Sequence, residues 1–234
     1  MANSARQSDI GPLQQRLGYQ FHNTQLLRLA LTHKSYAKQN NERLEFVGDA
    51  VLGYLVGSML YRKYPNVQED SLSLMRAELV RGRTLASLAK EIGLAPLLLL
   101  GSGELKSGGR ERHSILANAV EAIIGATHED GGIQACVELV DKLYAQRLEN
   151  LDAQSLKDAK TQLQELLQGQ GLELPVYEIQ DVSGADHQRQ YCVSCSVSAL
   201  DKMASASASS RRGAEKAAAQ LVLRELHNEG IDHE

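Results

Sequence analysis

Glu42, Glu45 and Asp49 stand close together in the run Asn41-Glu42-Arg43-Leu44-Glu45-Phe46-Val47-Gly48-Asp49-Ala50, which opens a long apolar segment reaching about Tyr61. Leu44, Val47, Val51, Leu55 and Met59 recur at helical spacing and no proline intervenes before Pro65, so the spacing predicts one amphipathic helix of about six turns. At ~100° per residue, Glu45 and Asp49 fall ~40° apart and Glu42 falls ~20° from Asp49, so the three acids share one stripe. Like charges at such spacings repel, by roughly a few tenths of a kcal/mol per pair, and Arg43 is the only base inside the cluster. A hard divalent cation would neutralise them, because it takes oxygen ligands and keeps waters for a phosphate substrate. A solvated acidic face near a helix start, where the dipole favours carboxylates, is the alternative. A second segment bears on the choice. In Ser114-Ile115-Leu116-Ala117-Asn118-Ala119-Val120-Glu121-Ala122-Ile123-Ile124, an amide and a carboxylate sit three residues apart on one face of an otherwise apolar helix. A charged Glu121 amid Val120, Ile123 and Ile124 is costly unless it meets water or a partner. Two helices that each offer oxygen ligands on one face meet the requirement of a metal site.

The run from Asn41 to Asp49 resembles the signature of the ribonuclease III family, and other segments resemble that family in the same order: Leu31-Thr32-His33-Lys34-Ser35-Tyr36, then Gly103-Glu104-Leu105-Lys106-Ser107-Gly108-Gly109, then Ile115 to Glu121. The likeness spans nearly the whole chain. It implies a multidomain protein, with an all-α ribonuclease III domain over 8–132, a last helix and linker over 133–157, and a small α+β double-stranded RNA-binding domain of αβββα order over 158–228. The implied activity is endonucleolytic hydrolysis of double-stranded RNA with Mg2+, Mn2+ being a substitute, leaving 5'-phosphate and 3'-hydroxyl ends with short 3' overhangs. Glu45, Asp49, Asn118 and Glu121 would gather metal, Asp49 and Glu121 would be catalytic, and Glu42 and Glu69 would be supporting acids. Bound metal would acidify a water and stabilise the leaving oxygen. Asn118 departs from the family, many members of which hold aspartate there; its amide oxygen can still ligate. The resemblance further implies a homodimer through the nuclease domain, and roles in processing ribosomal RNA precursors and structured messenger and transfer RNA transcripts. Two rivals remain: a non-catalytic double-stranded RNA-binding protein, and a carboxylate-bridged metal oxidase. The oxidase would need Glu-x-x-His pairs that neither segment supplies.

The elements that must position these residues can be read from periodicity. The chain has 234 residues, 43% hydrophobic and 23% charged, with 4% aromatic residues and no Trp, so a core of Leu, Ala, Val and Ile leans helical. Ile10, Leu13 and Leu17 begin the helical signal, and Asn23 can cap a helix through Leu31. Pro65 and Asn66 mark a turn, and Glu69 sits at a helix start where the dipole favours a carboxylate. Leu72, Met75 and Leu79, then Leu85, Leu88, Ala89 and Ile92, continue the period up to a stop at Gly93. The stretch from Gly101 to Gly109 is too glycine-rich to be regular and reads as a charged, mobile loop. His113 to about Asp130 is a helix, and Ile133 to Leu148 a last one.

After a polar linker from Glu149 to Lys157 the composition changes. Asp158 to Gly169 is helical, Val176 to Val182 and Gln190 to Leu200 read as strands by alternation, Lys202 to Ala208 is a weaker third, and a helix follows Ser210 to about Leu223. Three places match the contact regions of a double-stranded RNA-binding domain: Thr161, Gln162, Gln164 and Glu165; Gly184 to His187; and Ser210, Arg211, Arg212 and Lys216. At the third, free N–H groups, the positive helix end and two arginines converge where a phosphate could dock. Ala206, Ala208 and Glu215 depart from the family pattern; the formal charge of -4 argues against a generic polyanion binder, and seven bases against nine acids from 158 to 228 predict moderate affinity resting on few residues. Cys192 and Cys195 lie at an odd spacing within a strand, so they point to opposite faces and form no metal pair. The polar N-terminus shows no secretory signal, and no run approaches the ~18 apolar residues of a membrane helix. A cytoplasmic protein with no membrane partner is the expectation.

Overall fold

A computed structural model of the chain describes residues 9–149, 151, 158–184 and 188–231. The chain divides into two compact units, Met1–Ala153 and Gln154–Glu234. The first consists of helices α1 (Gly11–Leu17), α2 (Thr24–Ala30), α3 (Glu42–Lys63), α4 (Glu69–Val80), α5 (Gly82–Glu91), α6 (Ser102–Lys106) and α7 (His113–Glu149). The two long helices form its centre, α3 burying Leu52, Leu55, Val56 and Leu60 and α7 burying Leu116, Val120, Ile123 and Ile124. Acids in the first turn of α3 and Arg62 and Lys63 in its last both complement the dipole. Asn23 caps α2, its side chain accepting from the Gln25 N–H.

Gly132, at φ 71° and ψ -171°, interrupts α7, a conformation that glycine adopts at little steric cost. The residue two before this break is a latch. The Asp130 side chain is 2% exposed and accepts from Tyr19 Oη at 2.9 Å and from the backbone N–H groups of His22 and Asn23, each at 2.8 Å. Burial alone would raise the Asp130 pKa, but these donors outweigh it and hold the carboxyl below its ordinary value; burial and Asp130 together push Tyr19 up to about 12. Asp130→Ala, which orphans three donors, is expected to cost about 3 kcal/mol by urea denaturation. The Asp130 contribution is present above the usual carboxylate range and lost as pH falls through the lowered native value, so the wild-type advantage over the variant should vanish in acid.

Two expectations need correction. The glycine-rich stretch is ordered: Gly101 to Gly109 contains α6, and Arg112 Nη1 donates to Glu104 Oε1 at 3.1 Å across it. Glycine is needed there for closeness as much as for freedom, since a Cβ on Gly101 would lie 2.2 Å from the Ser35 carbonyl oxygen. Among the described residues, α3 is also long and apolar enough, by length and composition, to cross a membrane. Its position as the core helix against α7 accounts for that apolarity on one side. On the other side Phe46, Tyr54 and Tyr61 are 80%, 65% and 74% exposed, and a Cβ on Gly53 would meet nothing within 4 Å.

The second unit runs α8 (Ala159–Gly169), β1 (Val176–Ser183), β2 (Gln190–Val197), β3 (Lys202–Ala208) and α9 (Arg211–Asn228). The sheet is antiparallel in the order β1-β2-β3, with Tyr177 opposite Cys195 and Val193 opposite Ala206, and the β1 register shifts after Ile179. Alternation sends Cys195 and Val197 inward onto Leu163, Leu166, Leu167, Ala218 and Val222, and buries Val193 on the same face. The second strand stops at Val197, three residues before Leu200, where a single 3-10 turn, Ser198–Leu200, leads to Asp201 at φ 50°. Ser194 faces away from the helices yet is buried, because the Gln180 side chain lies over it and donates from Nε2 to its hydroxyl at 2.7 Å.

Candidate functional site

The two acid-bearing helices meet backbone to backbone. A Cβ on Gly48 of α3 would lie 1.7 Å from the Glu121 carbonyl oxygen, and a Cβ on Gly125 of α7 would lie 2.1 Å from the Leu44 carbonyl oxygen. Each helix therefore offers a glycine to the other's peptide backbone, an approach no larger residue permits. Glu45 and Asp49 flank Gly48 on α3, while Asn118 lies one turn before Glu121 on α7, so the crossing draws all four side chains to one place. Asn118 stands close enough to the Glu45 carboxylate for its amide to favour the charged form, and with a carboxylate opposite it the amide Nδ2–H is the group turned toward Glu45.

The electrostatics follow from this crowding. Burial, then the charges of Asp49 and Glu45, push Glu121 up to about 7. Glu45 is also raised, first by burial and further by Glu42 and Asp49, with Asn118 and Lys34 opposing. Glu42, exposed, is lowered chiefly by the hydrogen bond from Lys34, whose Nζ stands 3.0 Å from its Oε1. The donors are carboxylate and amide oxygens without a thiol or imidazole among them, which suits a hard cation. Among the described residues no three His, Cys, Asp or Glu side chains already stand arranged to hold a metal ion. The set fits by donor chemistry and accumulated charge, and a cation would have to draw its ligands inward.

Glu69 does not join this cluster. It begins α4, accepts from Ser73 Oγ at 2.7 Å, and is not among the groups whose charge raises Glu121 or Glu45. Glu42 is its outer neighbour, acting on Glu45 through space. The mouth of the site is braced by three strands of chain around the start of α3: Asn41 donates from its backbone to the Thr32 carbonyl and from Nδ2 to the Ala30 carbonyl, His33 N–H donates to the Leu99 carbonyl, and Gly101 N–H donates to Ser35 Oγ. Periodicity did not single out Gly48, Gly125 or Lys34. For the glycines a signal existed, since glycine inside a helix costs about 1 kcal/mol against alanine and so marks a place where something comes close.

In the second unit the candidate contacts of α8 and α9 come together. Ser210 caps α9, its hydroxyl accepting from the Gly213 N–H at 3.1 Å, and Asp158 caps α8, accepting from Lys160 and Thr161 N–H. Arg211 Nε lies 2.9 Å from Glu215 Oε1 and Lys216 Nζ lies 3.0 Å from Asp158 Oδ2. Thr161 and Gln164 are exposed on α8, with Gln162 and Glu165 half-buried beside them. His187 lies outside the described residues.

Comparison with known proteins finds a family profile described as Ribonuclease-III-like over residues 23–148 and one described as double-stranded RNA binding motif over residues 159–226. A protein from Vibrio vulnificus described as Ribonuclease 3 is 49% identical over 222 residues, spanning 94% of this chain and 99% of its own. A Photobacterium profundum protein of the same description is 48% identical over the same shares. Among solved structures, the nuclease domain of ribonuclease III from Campylobacter jejuni matches with TM-score 0.59 and 41% identity, covering 62% of this chain and 99% of that one. A second structure of that domain, described by flexibility in a region involved in its dimer formation, matches with TM-score 0.56 and 43% identity, covering 58% and 99%.

Proposed function

Because the chain belongs to the ribonuclease III family, we propose that it is an endoribonuclease that hydrolyses double-stranded RNA at the carboxylates of the α3–α7 crossing, the second unit holding the duplex. The observation that carries the reading is the reciprocal glycine contact, which sets Glu45, Asp49 and Glu121 side by side although their mutual repulsion opposes it. A core helix has no packing reason to gather acids, whereas phosphodiester hydrolysis needs concentrated negative oxygen donors.

Mg2+, with Mn2+ as a substitute, is the cation of this reading; when bound it supplies an acidified water and positive charge for the leaving 3' oxygen. Glu45, Asp49 and Glu121 provide the charge that retains it, and Asn118, beside Glu45, offers Oδ1 as the fourth ligand. An amide in the fourth position raises the cation concentration the site needs. Glu42 and Lys34 form an ion pair at the rim, beside the path a phosphate would take. Glu69, separate from the cluster within one chain, is reserved for a role outside it.

A homodimer through the first unit is supported by the outward face of α3, where Phe46, Tyr54 and Tyr61 stand exposed around Gly53. Exposed aromatic residues in one stripe mark a contact surface. Two sites in a dimer would cut the two strands at staggered positions and leave short 3' overhangs with 5'-phosphate and 3'-hydroxyl ends. Precursors of ribosomal RNA and structured messenger and transfer RNA transcripts, in the cytoplasm, are the substrates of this reading.

Titration of Mg2+ against a plain RNA duplex, with ends mapped on both strands, tests it. Cation-dependent cuts bearing 5'-phosphates at staggered positions are expected. Absence of cleavage at every cation concentration, with the duplex still bound, would leave a non-catalytic RNA-binding protein in its place.

A further inference from the structure

Between residues 158 and 228 the chain carries seven bases against nine acids, the wrong balance for a polyanionic ligand. Two of those acids are placed against the cations that matter. Glu215 is 9% exposed, one turn into α9, with Oε1 2.9 Å from Arg211 Nε and Oε2 2.6 Å from Lys160 Nζ. Asp158 caps α8 with Oδ1 and meets Lys216 Nζ with Oδ2 at 3.0 Å. Of the four cations fronting the two helix starts, three are thus answered internally. Of these four, Arg212 has no such partner among the described residues.

The partners of Glu215 are unequal. Lys160 is held, its Nζ 4.3 Å from the centre of the Tyr177 ring and its side chain 33% exposed. Arg211 is 61% exposed and pairs within its own helix, the kind of contact that solvent weakens. Arg211 can leave while Lys160 keeps the buried carboxylate compensated, so exchange does not strand a charge.

Resting on the duplex-binding reading above, we propose that Glu215 and Asp158 are internal stand-ins for RNA phosphates, occupying Arg211 and Lys216 until a duplex displaces them. The displaced carboxylates remain close to the incoming phosphates and repel them, which sets affinity low. Only a ligand that presents phosphates to both cations at once recovers the cost of opening both pairs. A duplex does so across its groove, and a flexible single strand does so poorly. The two acids are therefore specificity-determining residues.

The test uses the full chain in chelator, so that cleavage does not intrude, and a labelled RNA duplex longer than the ~16 base pairs such a domain spans, with anisotropy read from about 50 to about 200 mM KCl. Glu215→Gln removes the partner of Arg211 and of Lys160, of which Lys160 keeps the Tyr177 ring and Arg211 is left exposed for RNA; Asp158→Asn frees Lys216, and asparagine caps a helix as well as aspartate. Each variant is expected to bind about three- to tenfold tighter at the lowest salt, with log K falling more steeply in log salt by about one for the cation released, and with a smaller preference for duplex over single strand. Equal or weaker binding with an unchanged slope, in protein whose circular dichroism is that of the wild type, overturns the proposal. If Glu215→Gln loses its fold, Asp158→Asn decides alone. A wild-type chain that binds no duplex, with Arg212→Ala indistinguishable from it, is a different result and defeats the duplex-binding reading itself.

Discussion

Glu121→Gln is expected to lower duplex cleavage by about a thousandfold or more, while duplex binding persists and the metal-free protein becomes more stable above neutral pH. The first effect is the size usually lost when a charge-stabilising group is removed from a hydrolytic site. The second follows from linkage. Glu121 holds its proton more tightly in the native chain, at about 7 against an ordinary 4.5. A raised native value means that the stability tied to this group is fully present below the ordinary value and is lost as pH rises through 7. The nominal cost of ionising the side chain in place is about 3 kcal/mol, but Glu121 is only half-buried, and solvent screening reduces it to about 1 kcal/mol. Glutamine never ionises and escapes that cost, so the variant should melt roughly 2–4 °C higher than wild type at pH 8 and no higher at pH 4. Added Mg2+ should raise the melting temperature of the wild type at pH 8 and leave the variant unmoved. Undiminished cleavage by the variant would remove Glu121 from the site.

Gly48→Ala should unfold or disable the first unit by a route that touches no acid. The added Cβ would lie 1.7 Å from the Glu121 carbonyl oxygen, 2.6 Å from its carbonyl carbon and 2.9 Å from the Gly125 nitrogen. All three are main-chain atoms of a buried helix, so no rotamer change relieves the overlap and the helices must part. Overpacking of this kind costs about 3 kcal/mol and sometimes more, which for a chain of this size is a fall of roughly 6–12 °C in melting temperature. Parting the helices also displaces Glu45 and Asp49 from Glu121, and misplacement near 1 Å is enough to cost about a hundredfold in rate. Cleavage measured well below the variant's melting temperature separates the two effects. A variant as stable and active as wild type would mean that the helices do not approach so closely.

Much of this was legible from residue spacing, and the parts that were not share a cause. The apolar period of α3 and the alternation along β2 are local signals, because one element must bury one face. The break near Gly132 was visible as the end of one apolar pattern and the start of another. The pairing of Gly48 with Glu121 and of Gly125 with Leu44 joins positions far apart in the chain, and nothing local says which glycine meets which backbone. The α6 turn was missed because glycine content argues for freedom, whereas Gly101 is there to admit the Ser35 carbonyl. Asn118 was read as a ligand through its amide oxygen; its nearness to Glu45 depends on how two distant helices cross, which composition does not carry. Glu215, a departure from the basic pattern, gained a meaning only once Lys160 was found beneath it.

The glycine crossing also bears on handling and on scarcity. The framework that keeps the acids adjacent is peptide against peptide, and it does not dissolve when the counter-charge is withdrawn. A chelator should therefore silence the protein without denaturing it, and returning the ion should restore function within the time of mixing, with no refolding step. A cell short of the ion would hold an idle but intact reserve.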